Sequence, residues 1–337
     1  MSTIAINGFG RIGRQTFKAG WGKAGFNIVA INDLTDAKTL AYLLRYDTNY
    51  GTWDVPVRSS GNTLIVDGKK IPVLSEKDPS ALPWGDLGVD IVIESTGFFA
   101  TEELAMMHIN AGAKRVIISA PSKGGNVPTY VLGASKKDPS KEKASVINNA
   151  SCTTNCAAPM VAILHEAFGV EKAMLTTVHG YTSTQKLVDS PHKDLRRGRA
   201  AAVNMIPTST GATRATGEAY PSIKDKFDGI AIRVPIPTTS LSDVTMLLKK
   251  DVTVEKVNNA IKKACKTSRW KGIAGWTEEP LVSSDFVGNA YSAVFDLAMT
   301  RVVGGNLVKI IAWYDNEWGY ANRLSELAVF AGKAFKK

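Results

Sequence analysis

The first half of the chain alternates short apolar runs with segments whose apolar residues recur at helical spacing. The apolar runs predict β-strands at 4–7, 27–32, 90–94, 115–119 and 145–148. The helical spacing predicts helices at 15–23, 36–45 and 101–110, and Asp67-Gly68 predicts a hairpin turn. Strands that alternate with helices form a parallel, doubly wound sheet. This half therefore predicts an α/β domain built on such a sheet.

The second half has longer strand-like runs and fewer helices. We expect strands at 173–178, 229–234, 241–249, 291–299 and 307–314. A helix is expected at 254–266, with Val257, Ala260, Ile261 and Ala264 on one apolar face, and a terminal helix from about Tyr320. The pattern predicts an α+β domain in which the first of these helices covers a mostly antiparallel sheet.

Composition and charge narrow the class of protein. The chain has 337 residues, of which 44% are hydrophobic, and this length suggests two domains rather than one. The net charge of +10 comes from lysines spread along the chain, which favours small anionic ligands over a nucleic-acid groove. No zinc-ligand spacing occurs, so we predict no metal site.

Three further observations predict a cytoplasmic protein with no membrane association. No apolar run reaches the roughly 18 to 20 residues that a membrane span needs. The opening Met1-Ser2-Thr3 leads directly into a strand, without the basic region or cleavage site of a signal peptide. The cysteines Cys152, Cys156 and Cys265 are too few for a disulfide framework, which suits a reducing compartment.

A glycine-rich turn follows the first predicted strand. Gly8, Gly10 and Gly13 match the spacing G-x-G-x-x-G between a strand and a helix. In this motif the first glycine permits the tight turn, the second lets backbone approach a pyrophosphate, and the third lets the helix pack on the strand. The second strand leads into Asp33, twenty residues after Gly13, where a carboxylate can bind the ribose 2′-hydroxyl and repel a 2′-phosphate. The sequence therefore predicts a dinucleotide site that favours NAD over NADP.

Two further loops lie at the carboxyl ends of predicted strands. They are Ser95-Thr96-Gly97 and Ser119-Ala120-Pro121. Ligands of doubly wound sheets bind in the crevice at those ends. Both loops are therefore candidate cofactor contacts, and an ordinary turn is the alternative for each.

A cysteine follows the last strand of the first half. The run Asn148-Asn149-Ala150-Ser151-Cys152-Thr153-Thr154-Asn155-Cys156 leads from a strand into a helix, so we expect Cys152 at a helix N-terminus. The N–H groups and the positive end of the helix dipole there favour the nucleophilic thiolate and can hold an oxyanion on the attacked carbon. A buried structural cysteine is the alternative. The neighbouring hydroxyl and amide groups favour a nucleophile.

The second half supplies a candidate base. His179 is expected at a strand end, where it can act as general base toward Cys152. His108 and His165 lie in helical segments, which indicates packing or surface roles, and His192 lies in a basic loop. A hydrogen-bonded structural histidine is the alternative for His179.

Basic and hydroxyl residues beyond His179 predict anion binding. The segment 186–199 is polar, basic and irregular, which predicts a long loop, and Arg233 lies in an otherwise apolar strand, where it needs an anionic partner. Together with the hydroxyl-rich run 208–211, these residues form two groups of donors, which predicts two phosphate positions. Structural ion pairs are the alternative for any single arginine.

Taken together, these residues resemble the phosphorylating glyceraldehyde-3-phosphate dehydrogenase family from end to end. The matching runs are 7–14 (NGFGRIGR), 150–156 (ASCTTNC), 191–197 (PHKDLRR), 209–211 (STG) and 313–320 (WYDNEWGY). The run around Cys152 and the run 313–320 are highly specific in combination. The resemblance implies a Rossmann-type NAD-binding domain, 1–149, joined by the C-terminal helix 316–337. It further implies a catalytic domain, 150–315, and a homotetramer in which the long loop packs between subunits.

The resemblance also implies site residues. Cys152 would be the nucleophile and His179 the base. The substrate phosphate would bind Thr182 and Arg233, with Arg199 between the two anion sites. Inorganic phosphate would bind Ser151, Thr153, Thr210 and Gly211. The cofactor contacts would be Gly8, Gly10, Arg11, Ile12, Gly13, Asp33, Lys77, Ser119 and Asn316.

The implied activity is oxidation of D-glyceraldehyde 3-phosphate to 1,3-bisphosphoglycerate with NAD and inorganic phosphate. It would proceed through a hemithioacetal and a thioester on Cys152, with His179 as acid and base. Lys77 and Ser190 depart from the usual family pattern, and Ser190 weakens the exclusion of NADP. The closest alternative is an erythrose-4-phosphate dehydrogenase of the same fold, which needs little phosphate. An alternative of another class of function is a protein that binds RNA through the dinucleotide fold. The dehydrogenase activity implied by the resemblance does not require nucleic acid.

Overall fold

The computed structural model describes residues 2–335, which form two compact units. The first unit contains residues 2–130, 137–150 and 321–335, and the second contains 131–136 and 151–320. Relative to the boundaries expected from the sequence, Ala150 groups with the first unit, whereas 131–136 and 316–320 group with the second. Met1, Lys336 and Lys337, which the sequence assigned to the first domain, lie outside the described residues.

The first unit is built on a largely parallel sheet. Its strands are β1 (Ser2–Asn7), β2 (Phe26–Asn32), β3 (Tyr46–Asp47), β4 (Gly51–Thr52), β5 (Val57–Ser60), β6 (Thr63–Val66), β7 (Lys69–Leu74), β8 (Ile91–Glu94), β9 (Arg115–Ile118) and β10 (Val146–Asn148). Its helices are α1 (Arg11–Gly20), α2 (Ala37–Arg45) and α3 (Glu102–Asn110). The main sheet has the order β10-β9-β8-β1-β2-β7-β6-β5, parallel from β10 to β7 and antiparallel beyond. The carboxyl ends of the parallel strands therefore meet at one edge of the sheet.

Local sequence signals define the ends of these elements. The Asp36 carboxylate accepts the Thr39 N–H at 2.9 Å and caps α2, and the Thr101 hydroxyl caps α3 in the same way. Asp67 and Gly68 have φ values of 48° and 78°, the left-handed conformation that a tight hairpin turn requires between β6 and β7. β1 runs through the core of this unit, where its Ile4, Ala5 and Ile6 are fully buried.

The second unit is built on a mostly antiparallel sheet. Its strands are β11 (Val170–Gly180), β12 (Ile206–Ser209), β13 (Phe227–Val234), β14 (Ser240–Leu248), β15 (Ala274–Thr277), β16 (Ala293–Asp296), β17 (Arg301–Val303) and β18 (Leu307–Tyr314). Its helices are α4 (Cys152–Phe168), α5 (Ala212–Ala219) and α6 (Val254–Cys265), and α7 (Trp318–Gly332) runs from this unit into the first. Short 3₁₀ helices occur at Pro79–Ala81, Pro139–Lys141, Ala201–Val203, Pro221–Ile223, Ser283–Phe286, Leu297–Met299 and Lys333–Phe335. In the main sheet of this unit, the β11/β13 and β15/β16 pairs are parallel and the other described pairs are antiparallel.

The structure confirms the predicted combination of a doubly wound parallel sheet with a mostly antiparallel one, and it corrects two details. The strand predicted at 291–299 spans only Ala293–Asp296, because Leu297–Met299 form a 3₁₀ turn that redirects the chain into β17. The sheet is covered chiefly by α4, which packs on β11, β14, β16 and β18, whereas α6 packs on α4 and the edge strand β15. Within residues 2–335, no helix has both the length and the apolar character needed to cross a membrane.

Candidate active site

The three glycines of the turn after β1 have different surroundings. Gly8 has φ = +89°, and a Cβ atom there would lie 2.6 Å from the Thr96 backbone nitrogen. A Cβ atom on Gly13 would lie 2.2 Å from the Gly8 carbonyl oxygen. A Cβ atom on Gly10 would meet no heavy atom within 4 Å. Gly8 and Gly13 are therefore fixed by packing, whereas Gly10 leaves open space that a ligand can occupy.

A cavity of about 480 Å³ lies beside this turn at the carboxyl ends of the parallel strands. It is lined by Asn7, Gly8, Gly10, Asn32, Asp33, Leu34, Glu76, Lys77, Ser95, Thr96, Phe98 and Phe99. The two Asp33 carboxylate oxygens accept the N–H groups of Phe9 at 2.7 Å and Thr35 at 2.9 Å. Asp33 therefore braces the glycine turn as well as lining the cavity. The predicted residues Gly8, Gly10, Asp33 and Lys77 thus lie together.

The remaining predicted cofactor residues of the first unit do not line this cavity. The Arg11 guanidinium pairs with the buried Asp47 carboxylate at 2.7 Å, and Ile12 occupies the first turn of α1. A contribution from these two residues to dinucleotide binding would come from the helix N-terminus rather than from their side chains. Ser119 directly follows β9 and donates its N–H to the Glu94 carbonyl at 2.9 Å.

In the second unit, Cys152 is the first residue of α4. The hydroxyl of Ser151 caps this helix by accepting the Thr154 N–H at 3.0 Å. The preceding residue, Ala150, is fully buried with φ = +53°, an uncommon conformation for a residue with a side chain. The chain therefore turns sharply from β10 into α4, and Cys152 has the predicted position at a helix N-terminus.

The Cys152 thiol lies next to an imidazole and a guanidinium. Its Sγ is 3.4 Å from Nε2 of His179. His179 is buried and is the second-last residue of β11. Because β11 and β13 are parallel neighbours, His179 is opposite Arg233, and Arg233 Nη1 is 2.7 Å from His179 Nδ1. The Gly180 carbonyl oxygen lies 2.6 Å from the same Nδ1. A guanidinium can only donate and a carbonyl can only accept, so these two neighbours of Nδ1 favour opposite tautomers of His179. In the tautomer that donates from Nδ1 to the Gly180 carbonyl, Nε2 is an acceptor facing the thiol, as a general base requires.

Burial and the Arg233 charge change the acidity of both reactive groups. Burial, and secondarily the neighbouring Arg233 charge, lowers the pKa of His179 to about 3. Burial also raises the pKa of the Cys152 thiol, against the opposing effects of the Arg233 charge and of hydrogen bonds at the start of α4. The prediction from the sequence took account of the helix N-terminus alone. It therefore did not include the rise in the pKa of the thiol that burial causes.

Tyr314 is a neighbour that the residue-by-residue reading of the sequence did not single out. Its buried hydroxyl is 2.9 Å from Oγ1 of Thr153 and 2.9 Å from Oγ1 of Thr177. Its ring meets the His179 ring edge-on, with centroids 6.0 Å apart. Burial raises the pKa of Tyr314, so the phenol stays protonated. The only signal in the sequence was its place in the family-like run 313–320.

Two helix N-termini meet beside the nucleophile. The Thr154 hydroxyl in the first turn of α4 donates to the carbonyl of Ala212, the first residue of α5, at 3.4 Å. Gly211 precedes α5 with open space at its Cβ position, and the Thr210 hydroxyl accepts the Ala212 N–H at 3.1 Å. The structure therefore brings Ser151, Thr210 and Gly211 into one region, where both helix dipoles favour an anion.

The arginines of the long loop differ from the expectation. Arg199, expected between the two anion sites, pairs with Asp189 at 2.8 Å and its side chain is 63% exposed. Arg197 instead donates to the Thr208 hydroxyl at 2.8 Å and to the Ser209 carbonyl at 3.2 Å. Arg197 also pairs with Asp194 at 3.5 Å, and its side chain is only 25% exposed. Spacing along the loop could not distinguish Arg197 from Arg199, because the difference depends on how the loop folds.

Two further predicted residues of the second unit, Thr182 and Asn316, each make a side-chain hydrogen bond. Thr182 Oγ1 is 2.9 Å from Thr184 Oγ1, at the start of the long loop. Asn316 is buried directly after β18, where its amide oxygen accepts the Ser240 hydroxyl at 2.9 Å. Within the described residues, no group of three or more His, Cys, Asp or Glu side chains is arranged to hold a metal ion.

Comparison with known proteins identifies the family. Residues 2–102 match the family described as glyceraldehyde 3-phosphate dehydrogenase, NAD binding domain, and residues 151–316 match the C-terminal domain of the same enzyme. The chain belongs to the glyceraldehyde-3-phosphate dehydrogenase family. The family, the fold class and the NAD cofactor predicted from the sequence are therefore confirmed, and the protein is an NAD-dependent dehydrogenase.

Similar proteins of this family cover nearly the whole chain. A glyceraldehyde-3-phosphate dehydrogenase of Streptomyces coelicolor is 52% identical over 98% of both chains. That of Geobacillus stearothermophilus is 50% identical over 97% of both chains. Glyceraldehyde-3-phosphate dehydrogenase 2 of Synechocystis sp. is 46% identical over 100% of both chains.

Proposed function

We propose that this protein oxidises D-glyceraldehyde 3-phosphate to 1,3-bisphosphoglycerate, a step of glycolysis, with NAD and inorganic phosphate. The observation that carries this proposal is the 3.4 Å contact between the Cys152 thiol and His179 Nε2, with Arg233 beside it. Family membership and the paired helix N-termini near Cys152 support the same reaction. A nucleophile, a base and an anion-binding group are the three elements that phosphorylating oxidation of a phosphorylated aldehyde needs.

The residues of the first unit fit a dinucleotide. Open space at Gly10, the brace of Asp33 and the cavity of about 480 Å³ are the observations that support this fit. Gly8, Gly10, Asp33 and Lys77 would hold NAD, and Gly13 would keep the glycine turn packed on α1. The further contacts that we propose are Arg11, Ile12, Ser119 and Asn316. When bound, NAD supplies the hydride acceptor of the reaction.

Cys152 and His179 carry the covalent chemistry. The sulfur bonds to the aldehyde carbon as His179 Nε2 takes the thiol proton, while the α4 N-terminus stabilises the negative oxygen that forms. This oxygen then receives the proton from His179 and becomes the hydroxyl of the hemithioacetal. His179 Nε2 then takes the hydroxyl proton of the hemithioacetal as the hydride leaves the carbon, and a thioester to Cys152 remains. A phosphate oxygen attacks the thioester, the carbon–sulfur bond breaks, and the thiolate re-forms. The thioester thus retains energy that direct hydrolysis would lose.

The anion-binding groups divide between the two phosphates. Arg233 and Thr182 bind the phosphate of the substrate, and Arg197 replaces Arg199 as the arginine between the two sites. The contacts of Arg197 with Thr208 and Ser209 support this change. The residues for inorganic phosphate are Ser151, Thr153, Thr210 and Gly211.

The experiment that tests this function follows NADH absorbance after mixing protein, NAD and glyceraldehyde 3-phosphate, with and without inorganic phosphate. We expect sustained turnover only with phosphate. Equal rates without phosphate would mean that water accepts the acyl group, as in the erythrose-4-phosphate dehydrogenase alternative. Salt-sensitive RNA binding without any turnover would favour the RNA-binding alternative.

We also propose that the protein works as a homotetramer in the cytoplasm. The second unit exposes large apolar side chains, including Leu187, Leu195, Val203 and Met205, with Leu195 83% exposed. Exposed apolar side chains of this size support a covering partner surface, here that of another subunit. The three cysteines are free thiols, as a reducing compartment requires. Light scattering of the purified protein tests the assembly, because a monomer mass would contradict it.

A further inference from the structure

A buried chain of hydrogen bonds lies beneath the cofactor cavity, and none of the reaction steps above uses it. Its centre is Glu94, the last residue of β8, which is 2% exposed. Glu94 Oε2 accepts the Asn7 amide at 2.6 Å and is 3.2 Å from His108 Nε2. Glu94 Oε1 accepts the Thr96 N–H at 2.7 Å and also the Thr96 hydroxyl. One buried carboxylate therefore joins a residue of β1, a residue of α3 and the loop after β8.

The protonation of His108 follows from its second contact. His108 is fully buried in α3, and its Nδ1 accepts the indole N–H of Trp84 at 3.0 Å. An indole N–H can only donate, so Nδ1 must present a lone pair. The imidazole is then neutral, with its hydrogen on Nε2, from which it donates to Glu94. The sequence predicted a packing or surface role for this residue, and the structure shows it packed and gives it a directed hydrogen bond in addition.

The series of hydrogen bonds continues from Asn7 to the opposite side of the cavity. The Asn7 amide oxygen accepts the Asn32 amide at 2.7 Å, and the Asn32 side chain exchanges hydrogen bonds of 2.9 Å with the Glu76 backbone. Asn7, Asn32, Glu76 and Thr96 all line the cavity. The floor of the cavity is therefore held by a continuous set of buried side-chain hydrogen bonds.

We propose that His108 is a positioning residue for NAD, which acts through Glu94 without touching the cofactor. This inference rests on the proposed cofactor site. His108 fixes the Glu94 carboxylate, and Glu94 fixes Thr96, whose nitrogen lies 2.6 Å from the Cβ position of Gly8. Because Thr96 packs so closely on the glycine turn, loss of the His108 donor displaces both the loop and the turn. NAD affinity then falls, whereas the chemistry at Cys152 does not change.

The experiment compares His108→Phe with His108→Gln in the full-length enzyme. Phenylalanine fills the space but removes the donor, whereas the glutamine amide can still donate to Glu94. We expect His108→Phe to raise the NAD Kd from calorimetry and the KM for NAD about tenfold, with kcat at saturating NAD within about twofold. His108→Gln restores most of the affinity. Trp84→Phe, which removes the indole N–H together with part of the buried ring system, raises the Kd about threefold and serves if His108→Phe fails to fold.

Val116→Ala is the matched control, because Val116 lies in the same apolar core as Trp84 but makes none of these hydrogen bonds. We expect it to lower stability and leave the NAD Kd unchanged. An unchanged Kd in both His108→Phe and Trp84→Phe would overturn the proposal, as would an equal rise in Val116→Ala. A wild-type protein that neither binds NAD nor turns over would instead refute the proposed function.

Discussion

The cofactor cavity of the first unit and the thiol cluster of the second are built by different physical means. Backbone conformation and hydrogen bonds between neutral groups and carboxylates shape the cavity, as at Gly8, Asp33 and Asn32. In the thiol cluster, ionisable side chains from three elements meet directly, and burial changes their pKa values. The first arrangement gives a rigid surface for binding, and the second gives reactivity. Substitutions in the two regions should therefore have separable effects.

The strongest test of this separation is Cys152→Ser. We expect kcat to fall at least about 10³-fold, because the nucleophile is lost, while the Kd for NAD stays within about twofold. Calorimetry measures the Kd and NADH absorbance measures kcat. A large loss of NAD affinity in this variant would contradict the separation.

Alanine at two glycines tests the cavity itself. Gly13→Ala should lower the free energy of unfolding by about 2 to 3 kcal/mol, since its Cβ atom would lie 2.2 Å from a backbone oxygen. Gly10→Ala should leave that free energy within about 0.5 kcal/mol but raise the NAD Kd about 30-fold, because its Cβ atom projects into the open space proposed for the cofactor. Chemical denaturation and calorimetry provide the two measurements. Equal loss of stability in both variants would show that Gly10 is also fixed by packing.

A pair of arginine substitutions tests the second region. Arg197→Ala should raise the KM for inorganic phosphate about tenfold, because its guanidinium lies beside the proposed anion site. Arg199→Ala is the control and should change this KM less than twofold, since the exposed pair with Asp189 contributes little. Initial rates at varied phosphate measure both. The reverse order of effects would restore Arg199 to the role implied by the family resemblance.

The pH dependence of thiol alkylation tests the electrostatics of the cluster. The Arg233 charge favours the thiolate and lowers the pKa of Cys152, so Arg233→Gln should shift the alkylation midpoint upward by about half a pH unit. At a fixed pH below the midpoint, the variant should therefore react more slowly with iodoacetamide. Arg197→Gln is the control, and we expect no shift. An unchanged midpoint in Arg233→Gln would mean that burial, and not the Arg233 charge, sets the acidity of the thiol.

The sequence predicted each of the two regions in part. The glycine turn, Asp33 and the start of α4 at Cys152 depend on residues close in the chain, so spacing and capping were sufficient. Contacts between distant residues could not be read from spacing. The Tyr314 hydroxyl beside Thr153 and the hydrogen bond from His108 to Glu94 both depend on strand register and helix rotation. The predicted strand at 291–299 was too long for the same reason, because an apolar alternation does not show where a chain turns.

The conformation of Ala150 limits which amino acids can occupy this position, two residues before the nucleophile. Its positive φ disfavours branched side chains, and its complete burial leaves no room for long ones. Asparagine and aspartate tolerate the conformation but would bring polar atoms into a buried site that needs new partners. Alanine and glycine are the two residues that meet both limits. A search for altered substrate range would therefore gain little variation at this position and would have to draw it from the loops around the site.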